Sequence, residues 1–436
     1  MLIVRLLRGL RRHNLLKTDC GYSMNWPSNR PAGKPDSEKQ AEWLERFGES
    51  DRAAGIETTD RFARFAQIND IFSRAFWDET VRSGDTDGFF ESHRMKATPR
   101  RGEGFTLRDF ALRNASWAVS DMLSKRLNHE GKREGFQAPI EPETPVAEEK
   151  LDIPDPAAFT AELKGLARLF GADLVGICEH DERWLYSSRV DTRDFTEAAN
   201  DLPEGITHVI VLGHEMDREL VDTYPSALGS SAAGLEYSRE VGIVLQLATY
   251  IRNLGYEAVP SMNDTGLAIP YAIKAGLGEY GRNQLLISPE FGPRLRISKI
   301  FTSLPLVADK PVRQGIAEYC GICTKCADAC PPKALPYGEP SEEVANRSTI
   351  SGVRKWSADC EKCFSYWAKL KSDCAICMRV CPFNRDFSYP VNRLWRKLAT
   401  SRWRGLAQWW ENHRPTGVRS RPRDWWARIA NRGQAD

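Results

Sequence analysis

From residue 172 onward the chain alternates between short apolar runs and longer stretches with helical spacing. Ala172-Asp-Leu-Val-Gly-Ile-Cys178 and Thr207-His-Val-Ile-Val-Leu-Gly213 are short and rich in branched residues, which predicts buried strands. A helix over 157–170 leads into the first of them. Val241, Val244, Ala248 and Ile251 recur at helical spacing, so a long amphipathic helix is predicted over about 235–254, with Gly255 placed to end it. Tyr256 to Val259 predicts a strand closed by Pro260. A short helix follows at about 268–275, then strands at 284–288 and 294–306. This alternation argues an α/β domain over 151–312. Residues 1 to about 135 read as mainly helical, burying Phe62, Phe65, Phe72, Phe76 and Trp77. The proline- and acid-rich linker from Pro139 to Glu149 completes a 1–150 region and is not expected to pack. The tail, 387–436, is basic and carries Trp395, Trp403, Trp409, Trp410, Trp425 and Trp426. It reads as a helical cover over the core, or as a contact for a membrane surface or partner.

A length of 436 residues allows two or three domains, and the formal charge of +2 suggests no polyanion partner. No apolar stretch is long enough to span a membrane. Arg11-Arg12 invites a twin-arginine reading, but Lys17-Thr-Asp-Cys-Gly-Tyr22 follows where an apolar region is required. The start therefore reads as a basic surface helix, and the location as cytoplasmic.

Nine of the eleven cysteines fall between 320 and 381, which changes the picture. Cys320-x2-Cys323-x2-Cys326-x3-Cys330-Pro331 is the ligand run of a bacterial two-cluster iron–sulfur module, expected over 313–386. Cys374-x2-Cys377-x3-Cys381-Pro382 has the rear half of a second run, but Lys371 stands where its first cysteine belongs. By the crossed connectivity of two-cluster ferredoxins, one [4Fe–4S] cluster takes Cys320, Cys323, Cys326 and Cys381. The other takes Cys330, Cys374, Cys377 and either Cys360 or Cys363. Paired zinc sites also use four thiolates, but seldom in this run. Crowding into one block argues against disulfides, and no C-x-x-C-H attaches haem. Cys178 reads as a small core residue, and Cys20 lies in a segment expected to be mobile.

Gly276-Leu-Gly278-Glu-Tyr-Gly281 spells a dinucleotide fingerprint, yet a helix precedes it and a strand follows, the reverse of what phosphate binding needs. A tight turn bringing backbone close to another flat ligand suits it better. His208 and His214 share a strand face and read as structural. Two clusters beside a large domain imply an electron sink there, with Glu236-Tyr237-Ser238, Asn263-Asp264-Thr265-Gly266 and Gly292-Pro-Arg294-Leu-Arg296 as candidates.

Those residues carry a resemblance. Asn263-Asp-Thr-Gly, Ala275-Gly-Leu-Gly-Glu-Tyr-Gly-Arg-Asn283, Gly292-Pro-Arg-Leu-Arg296, Leu304-Pro-Leu306, Asp359-Cys-Glu-Lys-Cys363-Phe and Val380-Cys-Pro-Phe383 resemble the cobalamin-dependent reductive dehalogenases. So do Arg64 to Trp77 and Arg108-Asp-Phe-Ala-Leu-Arg113. The resemblance implies a nitroreductase-like cobalamin-binding α/β domain joined to a ferredoxin-like 2[4Fe–4S] module. It implies a base-off cobalamin or related corrinoid with no protein ligand below cobalt. Tyr237 takes the place of the family's proton-donating tyrosine, Asn263 that of its polar neighbour and Arg296 that of its arginine, with Arg294 a near alternative. Cys363 becomes the displaced cluster ligand. For the corrinoid itself, only the loop with Gly276, Gly278 and Gly281 is indicated.

The implied activity is reductive removal of halide from an organohalide, with electrons arriving from a separate ferredoxin, flavodoxin or reductase. The cofactor carries the hard step, and the protein delivers electrons, excludes water and supplies a proton. A tyrosine remains protonated at neutral pH, and Arg296 is expected to stabilise the tyrosinate and lower its pKa. Two rivals stand beside this reading. An epoxyqueuosine-reductase-like tRNA enzyme would place an aspartate beside a Tyr-His pair where this chain has Glu236-Tyr237-Ser238, and would want a basic face. A non-catalytic electron-transfer subunit would bind no corrinoid and give Tyr237 no role.

Overall fold

The computed structural model of the chain describes residues 37–93, 101–127, 140, 142–191 and 195–434. Cys20 and the Arg11-Arg12 pair lie outside them. Five helices open it: α1 (Ser37–Ala54), α2 (Ile71–Trp77), α3 (Gly84–Ser92), α4 (Leu107–Ser116) and α5 (Ala118–Leu127). Next come α6 (Pro156–Leu169), β1 (Leu174–Glu179), β2 (Arg189–Asp191), β3 (Thr196–Ala198), β4 (His208–Glu215), α7 (Arg218–Val221) and α8 (Ala227–Asn253). β5 (Ala258–Ser261), α9 (Ala268–Lys274), β6 (Glu279–Tyr280), β7 (Leu286–Ile287) and β8 (Leu295–Thr302) complete the central region.

Four strands form one sheet in the order β1-β4-β8-β5, every pair antiparallel. Ile177, Ile210, Leu212 and Ile300 turn to one face, where they pack with Leu163 of α6 and with Val244 and Leu247 of α8. Cys178, Val209, Val211 and Phe301 turn to the other, against Tyr271 and Ala272 of α9 and Phe47 of α1. Helices cover both faces, which is why these strands read as continuous apolar runs rather than alternating ones. Cys178 is a core residue, as expected.

Three local expectations are corrected. Pro260 lies inside β5 rather than ending it; β5 is an edge strand, where a missing N–H is tolerated. The strand expected at 284–288 shrinks to Leu286–Ile287, paired only with β6. The linker does pack: Ile140 is 1% exposed, and Ala147 and Leu151 donate backbone hydrogen bonds to Arg252 and Leu254 at the end of α8. Ile140 joins Trp117, Tyr237, Val241 and Met262 in one apolar cluster, which the acid-rich composition around it conceals.

α8 starts at Ala227, eight residues earlier than its apolar spacing suggests, because its first two turns are built from small residues. Ser226 caps it by accepting from the Gly229 N–H at 2.9 Å. The small residues serve packing. A Cβ on Gly234 would stand 2.2 Å from Ser116 Oγ and 2.6 Å from the Trp117 ring. Without it, the α4–α5 junction closes onto α8.

The cysteine-rich segment carries α10 (Ile316–Ile322), α11 (Lys325–Ala329), α12 (Cys360–Leu370) and α13 (Ile376–Arg379); the tail forms α14 (Pro390–Ala399), α15 (Arg404–His413) and α16 (Pro422–Arg432). Trp395 and Trp425 are buried, whereas Trp403 and Trp409 are more than half exposed. Lys371, standing where a ligand cysteine is missing, ends α12 in the left-handed region at φ 55°. No helix among the described residues is long and apolar enough to cross a membrane.

Candidate active site and cluster module

Tyr237, Asn263 and Arg296 meet. The Asn263 side-chain amide donates to the Tyr237 hydroxyl at 2.6 Å, and an Arg296 Nη2–H donates to Asn263 Oδ1 at 3.0 Å. Arginine can only donate, so it fixes which end of Asn263 is oxygen and hence that the nitrogen faces the phenol. The phenol therefore receives this hydrogen bond, and its own proton is not committed to Asn263. The Arg296 guanidinium lies 3.9 Å from the centre of the Tyr237 ring, and Trp117 stacks on that ring at 4.6 Å.

Each residue is held by its element. Tyr237 projects from α8. Arg296 sits in β8 opposite His214. Asn263 follows β5 in a loop latched by Asp264, whose carboxylate accepts from Met262 N–H and Thr265 Oγ1. Lys299 holds the same loop through the Met262 carbonyl at 2.6 Å, and Tyr186 through the Asn263 carbonyl at 2.9 Å. Arg294, the alternative to Arg296, turns away to Glu215 and the Met216 carbonyl.

The electrostatics differ from expectation in one respect. Arg296 pulls the Tyr237 pKa down, but burial outweighs it and the net shift is upward, so the phenol holds its proton more firmly than a free tyrosine. Glu240, one turn further along α8, was not singled out by sequence. It is fully buried, stands 3.8 Å from Arg296 and has no hydrogen-bond partner for either oxygen. Burial raises its pKa to about 7 against the pull of Arg296 and Lys299. Burial also lowers Lys299 to about 8. His214 is buried with Nε2 on Ser298 and is held neutral, its pKa lowered to about 3 chiefly by burial.

Asn263 and Arg296 line a cavity of about 850 Å³ whose walls also include Trp184, Tyr186, Tyr280 and Cys360. Tyr237 is not in the wall but lies one hydrogen bond behind it. The cavity extends from this array to the cysteine-rich segment, and its lining is mostly apolar, as a large flat cofactor requires. Arg296 Nε is buried in the wall without a partner, a donor left for a bound group. Gly276, Gly278 and Gly281 face protein instead: a Cβ on them would meet Lys310 O, Ile287 O and the Ile287 side chain. The loop reaches the cavity only through Glu279 and Tyr280.

The cysteines lie in two adjoining apolar clusters, with Cys326 between them, neighbour to both Cys377 and Cys323. Cys320, Cys323 and Cys381 share an apolar cluster with Phe383 and Trp395, while Cys326 and Cys330 pack with Cys363 and Cys377 around Ala334 and Ala358. After burial, the Cys381 thiol is raised most by Cys320, with Cys326 and Cys323 adding to it. The corresponding neighbours of Cys377 are Cys374, Cys363 and Cys330. Cys360 instead meets Thr349 and Gln284 and lines the cavity.

The family model for a 4Fe-4S double cluster binding domain matches residues 319–384. A tetrachloroethene reductive dehalogenase of Desulfitobacterium hafniense is 33% identical over 369 residues, covering 69% of this chain and 67% of that one. The chain belongs to the reductive dehalogenase family. It is an oxidoreductase that uses two [4Fe–4S] clusters and a corrinoid. A tetrachloroethene reductive dehalogenase of Dehalobacter restrictus is 34% identical over 372 residues, with the same coverage. The solved structure of the catabolic reductive dehalogenase NpRdhA shares the fold, with a TM-score of 0.63 at 22% identity. The match covers 84% of this chain but 49% of that one, so the chain spans about half the length of that structure.

Proposed function

We propose that this reductive dehalogenase replaces a carbon-bound halogen by hydrogen in the cavity beside Asn263 and Arg296, with Tyr237 as the proton donor. The observation that carries this is the hydrogen-bonded array of Tyr237, Asn263 and Arg296 at the cavity wall. In the overall change the substrate takes two electrons and one proton, its carbon–halogen bond breaks, a carbon–hydrogen bond forms and halide leaves. When bound, a corrinoid supplies the reducing metal centre for the cleavage, and the apolar walls around Trp184 and Tyr186 would hold it. Tyr237 keeps its proton until one is demanded. Asn263 then steadies the phenolate through the hydrogen bond it already makes, and Arg296 supplies the compensating charge.

Electrons reach the cavity through the cysteine module. Cys320, Cys323, Cys326 and Cys381 hold one cluster; Cys330, Cys363, Cys374 and Cys377 hold the other. The neighbours of Cys381 and those of Cys377 support this crossed assignment, and the cavity-facing position of Cys360 supports leaving it out. An external one-electron carrier is the source, and the substrate is a small organohalide.

The test is anaerobic reconstitution with iron, sulfide and cobalamin, followed by reduced viologen and a panel of chlorinated and brominated alkenes and phenols. Halide release that Tyr237→Phe removes supports the reading. Reduction of epoxyqueuosine tRNA without halide release would replace it with the tRNA-modifying alternative. Clusters without corrinoid uptake would reduce the chain to an electron-transfer subunit.

A further inference from the structure

Every electron used at the cavity must first cross the protein surface, and the structure indicates where. α14 and α15 pack against each other as a hairpin. Its inner side carries Trp395, Ala399 and Ala407, which pack with Cys320, Cys323 and Cys381 in a single apolar cluster. Its outer side is unusual for a solvated surface. Leu394, Trp403, Leu406 and Trp409 are each more than half exposed, as is Tyr389 at the start of α14. The hairpin and the residue after it also expose Arg393, Lys397, Arg402 and Arg414, and 387–414 holds a single acid, Glu411, in a chain whose net charge is only +2. Glu411 is buried and already paired with Lys325 and Arg385, so it does not offset the charge outside.

We propose that the outer face of the α14–α15 hairpin is the docking site for an acidic one-electron carrier protein, which delivers electrons to the cluster held by Cys320, Cys323, Cys326 and Cys381. The proposal rests on the electron relay described above. Exposed large apolar groups ringed by charge mark a surface that is covered part of the time. Redox encounters are typically small and brief, steered by opposite charge and seated on a few apolar contacts. Both ingredients are present, and the hairpin is a single layer between this face and the cysteines. That position favours an electron carrier over a lipid surface, which needs the same chemistry but gains nothing from a cluster beneath it. It equally favours a carrier over a second copy of this chain, whose matching face would be basic and repelled.

The test uses the full chain with both clusters and corrinoid, driven either by a reduced acidic ferredoxin or by reduced viologen, a small dye that needs no docking site. Leu406→Glu and Trp409→Glu place carboxylates on the outer face, and Arg402→Glu reverses one charge of the rim. Each should raise the ferredoxin KM about tenfold or more, by charge repulsion. Added salt should weaken the wild type's use of ferredoxin, while viologen-driven turnover stays unchanged. Stopped-flow bleaching of the cluster absorbance by reduced ferredoxin should slow in the same variants. That readout does not depend on halide release, so it separates failure of the docking site from failure of the dehalogenation reading. An unchanged ferredoxin KM and bleaching rate in all three variants overturn the proposal. So does loss of binding to phosphatidylglycerol vesicles with the ferredoxin KM intact, which would assign the face to a membrane. Conversion of a wild-type dimer to monomers with the KM intact would assign it to self-association and overturn the proposal equally.

Discussion

Glu240→Gln tests the electrostatics behind Tyr237. The groups that face Glu240 are Arg296 and Lys299 from β8, Asp264 from the loop after β5, and Tyr237 on its own helix. Arg239 and Glu236 also lie on α8, and His214 on β4 faces Arg296. Burial raises Glu240 from the usual 4.5 to about 7, so the folded chain favours its neutral form. That preference is a stabilisation fully present below pH 4.5 and lost as pH rises through about 7. At 1.36 kcal/mol per pH unit, the difference makes the ionised carboxylate a burden of about 3 kcal/mol above pH 7. The same negative charge opposes ionisation of Tyr237, whereas the neutral form leaves Arg296 to the phenolate. A neighbouring like charge makes a group about tenfold or more harder to ionise.

Turnover of the wild type should therefore fall as pH rises through 7, while Glu240→Gln, a permanent mimic of the neutral form, should stay level. At pH 8.5 the variant should release halide about tenfold faster than the wild type, and at pH 6 the two should agree. Removing the Glu240 charge also lowers Lys299 further below its value of about 8, so at pH 8.5 that lysine is mostly neutral in both proteins and adds little to the ratio. The thermal midpoint of the variant should also exceed that of the wild type at pH 8.5 by more than at pH 5.5. Parallel pH–rate profiles, or a variant slower than the wild type at pH 8.5, would refute the reasoning.

Other changes probe separate parts of the account. Arg296→Lys keeps the charge but loses the planar donor fork that reaches Asn263, so kcat should drop about tenfold or more with cluster absorbance unchanged. Cys363→Ser should remove about half the iron of the reconstituted protein, while Cys360→Ser should leave iron content unaltered; metal analysis decides between them. Ile140→Ala opens a cavity behind Tyr237 and should cost about 2–4 kcal/mol, read as a lower thermal midpoint. Gly234→Ala should push Trp117 off the Tyr237 ring and lower both activity and thermal stability, since its Cβ would overlap Ser116 and Trp117.

Local order was the legible part of this chain. Strands buried on both faces announce themselves as apolar runs, and β1, β4 and β8 follow them closely. The cluster cysteines are equally visible, because ligand spacing is a property of neighbouring residues. What stayed hidden was what distant segments do to one another. Trp117 and Ile140 reach Tyr237 from segments about a hundred residues upstream, and neither carries a local mark of that role. Small residues masked the start of α8, since close packing of Gly234 produces no apolar periodicity. Glu240 looks like a surface acid on a helix until the fold places β8 against it. The sign of the Tyr237 shift followed the same logic: the helping charge of Arg296 could be named from sequence, but the larger effect of burial depends on the whole interior.

The most direct measurement of the central claim is the balance between electrons consumed and halide released, with Tyr237→Phe run alongside the wild type. Both proteins should first show equal cluster and corrinoid content by absorbance and electron paramagnetic resonance. The account predicts two electrons consumed per halide released in the wild type, and halide release lowered at least about a hundredfold in Tyr237→Phe. Wild-type-like turnover in Tyr237→Phe would contradict it, because the proton would then come from elsewhere.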